Sequence, residues 1–191
     1  MIDLQHPDHA ALLGKWQPII DQTSHIFTWT SHLELAWLAE YATHCSHFLE
    51  IGSYNGRSAK VVLLANPKLM LTSIDTWDDG NLPTFQHNLG PEMAEGRVNF
   101  IQGLSQDLVR RDILNCPPEG FDGCFIDGGH LDDLVIADIK NVLPLMKPGS
   151  LMAGHDYRTE NGQPNDVARG VHAALGTAFT NPLNSLWCHQ T

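Results

Sequence analysis

The sequence predicts an α/β domain, a doubly wound and mostly parallel sheet covered by helices on both faces. Two observations predict it. Short, nearly continuous apolar runs, the form expected of strands buried on both faces, alternate along the chain with amphipathic segments. That alternation calls for right-handed crossovers between parallel strands. No internal repeat, low-complexity tract or Ser/Gly linker interrupts the pattern, and 191 residues at 42% hydrophobic content suffice for one core without disulfide or metal staples. One domain is expected over residues 31–191, with residues 1–30 as a leader packed on it.

The elements follow in order. Leu33, Ala36, Trp37 and Tyr41 recur at helical spacing, and Ser31 with Glu34 three residues later forms a capping box. "FLEI" (48–51) is a strand and precedes a helix over residues 57–65. "LMLTSID" (69–75) is a strand ending in a carboxylate. "VNFIQG" (98–103) precedes a helix near residues 105–114. "FDGCFID" (121–127) again ends in a carboxylate, and the helix after it aligns Leu131, Leu134, Val135, Ile139 and Val142 on one face. "GSLMAGHDY" (149–157) carries His-Asp near its end. A helix over 165–175 and a strand around 185–189 complete the chain.

Composition excludes some functions. A formal charge of −11, from 22 acidic against 11 basic residues, would repel a phosphate backbone, so no nucleic-acid partner is expected. The opening residues lack a basic n-region and an apolar signal core, and no later run approaches the ~20 apolar residues of a membrane span. A cytoplasmic protein with no membrane partner is expected, and a homo-oligomer is left open. Cys45, Cys116, Cys124 and Cys188 have no metal-type spacing and read as small buried residues. Most of the 11 His residues are scattered singly and read as surface residues.

In doubly wound sheets the ligand site lies outside the carboxyl ends of the strands. Glu50, Asp75, Asp127 and Asp156 all fall at or near those ends. Any one of them alone reads as a cap or turn residue; four on one edge point to a site. "HFLEIGSYNGRSAK" reads E-x-G-x-x-x-G, with Gly52 and Gly56 around "SYN", not the G-x-G-x-x-G of a dinucleotide fold. A carboxylate standing just before such a turn suits a ligand carrying an ammonium or sulfonium charge. Asp75 follows Glu50 by 25 residues, near the ~20-residue offset at which an acid grips a ribose diol, which implies a nucleoside.

"EIGSYNGRSA" with "SIDTW", "IQGLS", "FIDGGH" and "AGHDY" resembles the class I S-adenosylmethionine-dependent methyltransferases, in particular the small-molecule O-methyltransferases and the group called methyltransferase domain 24. The resemblance covers about residues 30–190 and implies a Rossmann-like fold. It implies that Gly52, Ser53, Tyr54 and Ser58 line the methionine moiety, that Gly56 belongs with them on the cofactor side, and that Glu50 places or indirectly holds the ammonium. It further implies that Asp75 holds the ribose, that Trp77 packs near the adenosine, and that Gly103 to Ser105 edge the adenine. Leu104 stands where many relatives carry an acid.

Methyl transfer to oxygen is an in-line displacement that needs an activated hydroxyl, and a base or a divalent ion can supply the activation. In the metal-dependent members of the resembled family, an Asp after strand four and an acidic or Asn pair after strand five bind Mg²⁺, with a Lys or His base three residues past the first Asp. Carried over, this makes Asp127 a catalytic, cofactor-side and metal residue, His130 the base, and Asp127, His155 and Asp156 the ligands. Either the imidazole of His155 makes the site take a softer ion such as Mn²⁺ in place of Mg²⁺, or His155 serves another role and no metal binds. His130 also reads as the opening of a helix whose first turn carries Asp132 and Asp133. The long polar segments 78–97 and 157–166 are expected to form a lid; "FQHNL", with Phe85 and His87, reads first as a short surface helix and otherwise as a border of the acceptor pocket. The leading expectation is O-methylation of a small or sugar-like acceptor. The alternatives are a nicotinamide-dependent oxidoreductase, an adenosylmethionine-binding protein without turnover, and a metal-dependent hydrolase.

Overall fold

A computed structural model describes residues 4, 6–160, 163–183 and 185–191. Two helices, α1 (His9–Gln22) and α2 (His32–Ala42), precede the sheet. Then come β1 (His47–Ile51), α3 (Arg57–Ala65), β2 (Met70–Asp75), α4 (Leu82–Asn88), α5 (Gly90–Ala94), β3 (Val98–Gln102) and α6 (Ser105–Leu108). The second half holds β4 (Phe121–Ile126), α7 (Asp132–Val142), a 3-10 turn at Leu143–Leu145, β5 (Met146–Gly154), β6 (Thr159–Glu160), β7 (Gln163–Pro164), α8 (Asp166–Leu175) and β8 (Trp187–Gln190).

The main sheet has the order β3-β2-β1-β4-β5-β8, parallel except for β8, which runs antiparallel to β5. Chain order reverses at β1, so β1 and β4 lie side by side, Ile51 opposite Ile126, and a crevice opens beyond their carboxyl ends. Side chains alternate across the sheet. Phe48 joins Leu35, Trp37 and Val62 on the α1–α3 face, and Leu49 and Ile51 join Val135, Ile139 and Val171 on the α7–α8 face.

The leader docks through α1, whose Leu12 and Ile20 are fully buried. Glu40 on α2 receives Trp16 Nε1 at 2.8 Å and Lys15 Nζ at 2.6 Å. The Ser31–Glu34 capping box is present. Tyr41 pins α2 to the sheet, its hydroxyl donating to the Leu151 carbonyl and accepting from Cys124 N at 2.9 Å.

Three elements differ from expectation. The helix near 105–114 stops at Leu108, because Val109 turns to ψ 78° so that it and Leu114 both reach the core. Leu131 is the N-cap residue of α7 and is exposed instead of joining the buried face. Segment 78–97 holds α4, the short helix read at "FQHNL", and α5, and Phe85 is fully buried against Trp77 and Phe100 and does not line the cavity across the strand ends. Of segment 157–166, residues 161 and 162 lie outside the described residues. Cys45, Cys124 and Cys188 are buried, Cys116 is half-buried, and all four are free thiols. Among the described residues no helix is long and apolar enough to cross a membrane.

Candidate active site

A cavity of about 830 Å³ lies across the carboxyl ends of the parallel strands. Gly52, Ser53, Tyr54, Ser58, Asp75, Gly103 and Ser105 line its β1–β3 side, and Asp127, His130, His155 and Asp156 line its β4–β5 side. Glu50, Gly56 and Trp77 stand behind the wall. Trp77 is buried, with Nε1 donating to the Tyr54 carbonyl at 2.9 Å, so it supports the turn from beneath.

The turn after β1 is possible only with glycine at its start. Gly52 has φ +83°, and a Cβ there would sit 2.0 Å from the Asp127 carbonyl oxygen. Three non-glycine residues, Tyr54 (φ 47°), Trp77 (φ 47°) and Asp156 (φ 58°), also hold left-handed backbone, each in the turn after a strand at the cavity. Such outliers gather where a site fixes its backbone.

Asp75 closes that turn. Its Oδ2 accepts from Ser53 N at 2.7 Å and Tyr54 N at 2.8 Å, and its Oδ1 accepts from Trp77 N at 2.8 Å. A carboxylate offers about four lone-pair positions, so one remains for a ligand hydroxyl. Glu50, 1% exposed, accepts from Ser53 Oγ at 2.6 Å, Ser58 Oγ at 2.7 Å and Ser73 Oγ at 3.1 Å. Burial pushes its pKa up to about 7 against the pull of these hydroxyls. The expected ammonium-placing carboxylate thus acts through serines that line the cavity.

At the β3 end, Ser105 Oγ and Gln106 Nε2 donate to Asp138 Oδ1 at 2.6 and 2.8 Å. Asp138 is fully buried on α7, its Oδ2 has no partner, and burial raises its pKa to about 6.

The β4–β5 side is built from charges. His155 is 4% exposed; its Nδ1 lies 3.4 Å from Asp127 Oδ1 and 3.3 Å from Asp156 Oδ2. Its Nε2 lies 3.3 Å from Glu34 Oε2, an ion contact not aligned as a hydrogen bond. Burial alone would lower the imidazole pKa, but Asp127, Asp156 and Glu34 outweigh it and push the value up to about 12. Glu34 is desolvated, yet His155, Ser185 and Ser31 draw its pKa down to about 2. Asp156 receives His130 Nε2 at 3.1 Å and Arg158 at 2.9 Å. The bonds from His130 and His155 hold the Asp156 carboxyl well below the usual range. Burial raises Asp127. The bond to Asp156 raises His130.

Asp127, His130 and Asp156 bring one ligand atom each within 4.8 Å of one another. His130 thus stands where the sequence reading put His155, which lies beneath with both nitrogens turned to carboxylates. Two carboxylate oxygens and one imidazole nitrogen form a donor set that fits a divalent ion such as Mn²⁺, with His155 against the same carboxylates from beneath.

Several contributors escaped the sequence reading. Phe27, Thr28 and Trp29 line the cavity from the leader, with Phe27 edge-on to Trp29 and to Tyr54. "FTW" carried no pattern to mark it. Asp138 had a signal: it falls on the apolar face of its helix, three or four residues from Leu134 and Val135. Glu34 was legible as a cap and not as a partner of the site. Arg158 had none.

Residues 49–157 match the family model for the methyltransferase domain numbered 24. No curated protein matches the chain in sequence. Among solved structures, the chain is similar to an O-methyltransferase from Bacillus cereus in complex with SAH, at 15% identity and TM-score 0.64, covering 95% of this chain and 91% of that one. It is also similar to the O-methyltransferase TomG from Streptomyces achromogenes in complex with SAM, at 17% identity and TM-score 0.65, covering 94% and 89%. A third is the SAH-bound methyltransferase PaMTH1 from Podospora anserina, at 15% identity and TM-score 0.62, covering 97% and 88%.

Proposed function

Because the chain belongs to the methyltransferase domain family, we propose that it transfers a methyl group from S-adenosylmethionine to an oxygen of a small-molecule acceptor, sugar-like acceptors included. The observation that carries this reading is the placement of the His130–Asp156 pair and the Gly52–Asp75 turn on opposite sides of one cavity. The family match favours methyl transfer over the nicotinamide alternative.

The residues present fit the cofactor. The backbone cradle at Gly52 admits no side chain, Asp75 keeps a free lone pair for a ribose hydroxyl, and Ser105 and Gln106 offer a polar edge to a base. When bound, S-adenosylmethionine supplies the sulfonium methyl. His130 holds the proton relay. Its Nε2 lies 3.1 Å from Asp156 Oδ2, an ion contact that would favour the Nε2–H tautomer and leave Nδ1 with a lone pair for the acceptor hydroxyl. His130 would take the hydroxyl proton as the acceptor oxygen is methylated. Charge favours that transfer. Glu34, Asp127 and Asp156 are countered by His155 and Arg158, and the unbalanced negative charge welcomes a proton on His130.

The test is transfer of labelled methyl from S-adenosylmethionine to a panel of hydroxylated small molecules. The reading expects an alkali-stable ether product with at least one acceptor. Label recovered only on nitrogen or sulfur nucleophiles would overturn oxygen as the target.

A further inference from the structure

We infer that Asp138, a buried carboxylate of α7, fixes the orientation of the Gln106 carboxamide and so makes the β3 end of the cavity selective for a 6-aminopurine. The inference rests on the methyl-transfer reading for one point, that the base of a nucleoside cofactor lies at this end.

The β3 edge needs support from elsewhere. α6 is a single turn of four residues with no side-chain cap, too short to hold its own side chains in place. Asp138, 33 residues beyond Ser105, holds them. Its Oδ1 accepts from Ser105 Oγ at 2.6 Å and from Gln106 Nε2 at 2.8 Å, and Gln106 Nε2 also donates to Ser105 Oγ at 2.9 Å. The three atoms close a triangle. Asp138 Oδ2 has no partner among the described residues and lies behind Gly128 of the cavity wall, where an added Cβ would stand 3.6 Å from it. All the hydrogen bonds of this carboxylate thus go to two side chains that line the cavity. Position 138 shares the buried face of α7 with Val135, Ile139 and Val142, and an apolar side chain there would avoid the desolvation of an acid. The acid therefore points to a task in the cavity.

The triangle decides what Gln106 presents. A carboxylate accepts only, so it selects the NH₂ end of the carboxamide and turns Oε1 away. Its two acceptors stand 2.6 Å apart and subtend a narrow angle at Nε2, so one N–H serves both and the second stays free. An amide oxygen beside an amide N–H is the pattern that pairs with the exocyclic amine and a ring nitrogen of adenine. A 6-oxopurine would meet Oε1 with its own oxygen, acceptor against acceptor. Ser105 Oγ gives its hydrogen to Asp138 and keeps only lone pairs. Leu104 lines the same edge without a hydrogen-bonding side chain, so the discrimination falls to Gln106 and Ser105. Asp138 is the positioning residue, and Gln106 makes the contact.

The experiment is calorimetric titration of the folded protein at about pH 8, where carboxylates are ionised, with S-adenosylhomocysteine and with S-inosylhomocysteine, its 6-oxo counterpart. The wild type should favour the amino compound by about tenfold or more. Asp138→Asn can donate as well as accept, which frees the Gln106 carboxamide to turn, and the preference should fall below about threefold. Gln106→Glu, on the short surface turn, tests the same clamp without touching α7. It sets carboxylate against carboxylate and swings the side chain off the edge, so the preference should again collapse; without a clamp it would keep an acceptor toward the amine, and the preference would persist. A merely structural Asp138 would shift both affinities alike and leave their ratio unchanged. Equal affinities in the wild type, a folded Asp138→Asn protein that keeps the wild-type ratio, or that ratio kept in Gln106→Glu would overturn the inference and leave cofactor binding standing. Binding of neither compound to the folded wild type would overturn the methyl-transfer reading and the inference with it.

Discussion

The two sides of the cavity keep buried carboxylates in opposite ways. On the β1–β2 side, Glu50 is held by three serine hydroxyls and Asp75 by three backbone amides, all neutral donors. On the β4–β5 side, Asp127, Asp156 and Glu34 are held by His155, His130 and Arg158. Neutral donors satisfy a carboxylate without cancelling its charge, so Asp75, and Glu50 above its raised pKa of about 7, keep a negative potential on the first side. Ionic partners cancel charge and bring protons within reach of a reacting group. On the proposed function, binding and proton transfer are thus divided between the two halves of the sheet.

The largest expected effect comes from breaking the backbone seam where the sides meet. Gly52→Ala drives a Cβ into the Asp127 carbonyl at a strained φ, and should cost about 3 kcal/mol or more of stability and remove cofactor binding. Chemical denaturation with calorimetry checks both. On the ionic side, His130→Ala should lower turnover about a hundredfold with cofactor affinity nearly unchanged. Because Asp156 raises the His130 pKa above 6.5 and a base must be deprotonated, wild-type kcat/KM should climb with pH through a value above 6.5. The variant should lose that limb.

On the neutral side, Asp75→Asn keeps one acceptor oxygen while losing the charge, and should weaken S-adenosylhomocysteine by about 1.5 kcal/mol, roughly tenfold, with kcat less affected. The smallest effect is expected at Glu50. Its folded pKa, about 7, lies above the ordinary 4.5, so the folded state binds the proton more tightly than the unfolded chain. That contribution is complete below about pH 4.5 and is lost as pH rises through about 7. Glu50→Gln should therefore flatten the pH dependence of the melting temperature across that window while leaving stability below about pH 4.5 nearly unchanged.

The neutral side was far more legible in the sequence than the ionic one, for physical reasons. Gly52, Gly56 and Asp75 act through backbone geometry at strand ends, and a strand–turn–helix pattern places such residues without knowledge of the rest of the fold. Glu50 reaches the cavity only through its serines, as the indirect reading allowed, and Trp77 lies one layer behind the wall, since a spacing gives the strand end but not whether a side chain faces the cavity or the sheet. The ionic side joins residues from α2, β4, β5 and the loop after β5. Glu34 and His155 are separated by most of the chain and meet only when α2 packs on the sheet. No local period encodes that meeting, and the two histidines were correspondingly exchanged in the expected ligand set.

The most direct test of the division is calorimetric titration of the folded wild-type protein with S-adenosylhomocysteine, repeated on Asp75→Asn and His130→Ala. The account predicts saturable binding at one site per chain, weakened about tenfold by Asp75→Asn and unchanged by His130→Ala. Absence of binding to the folded wild type, or weakening by His130→Ala equal to that by Asp75→Asn, would contradict it.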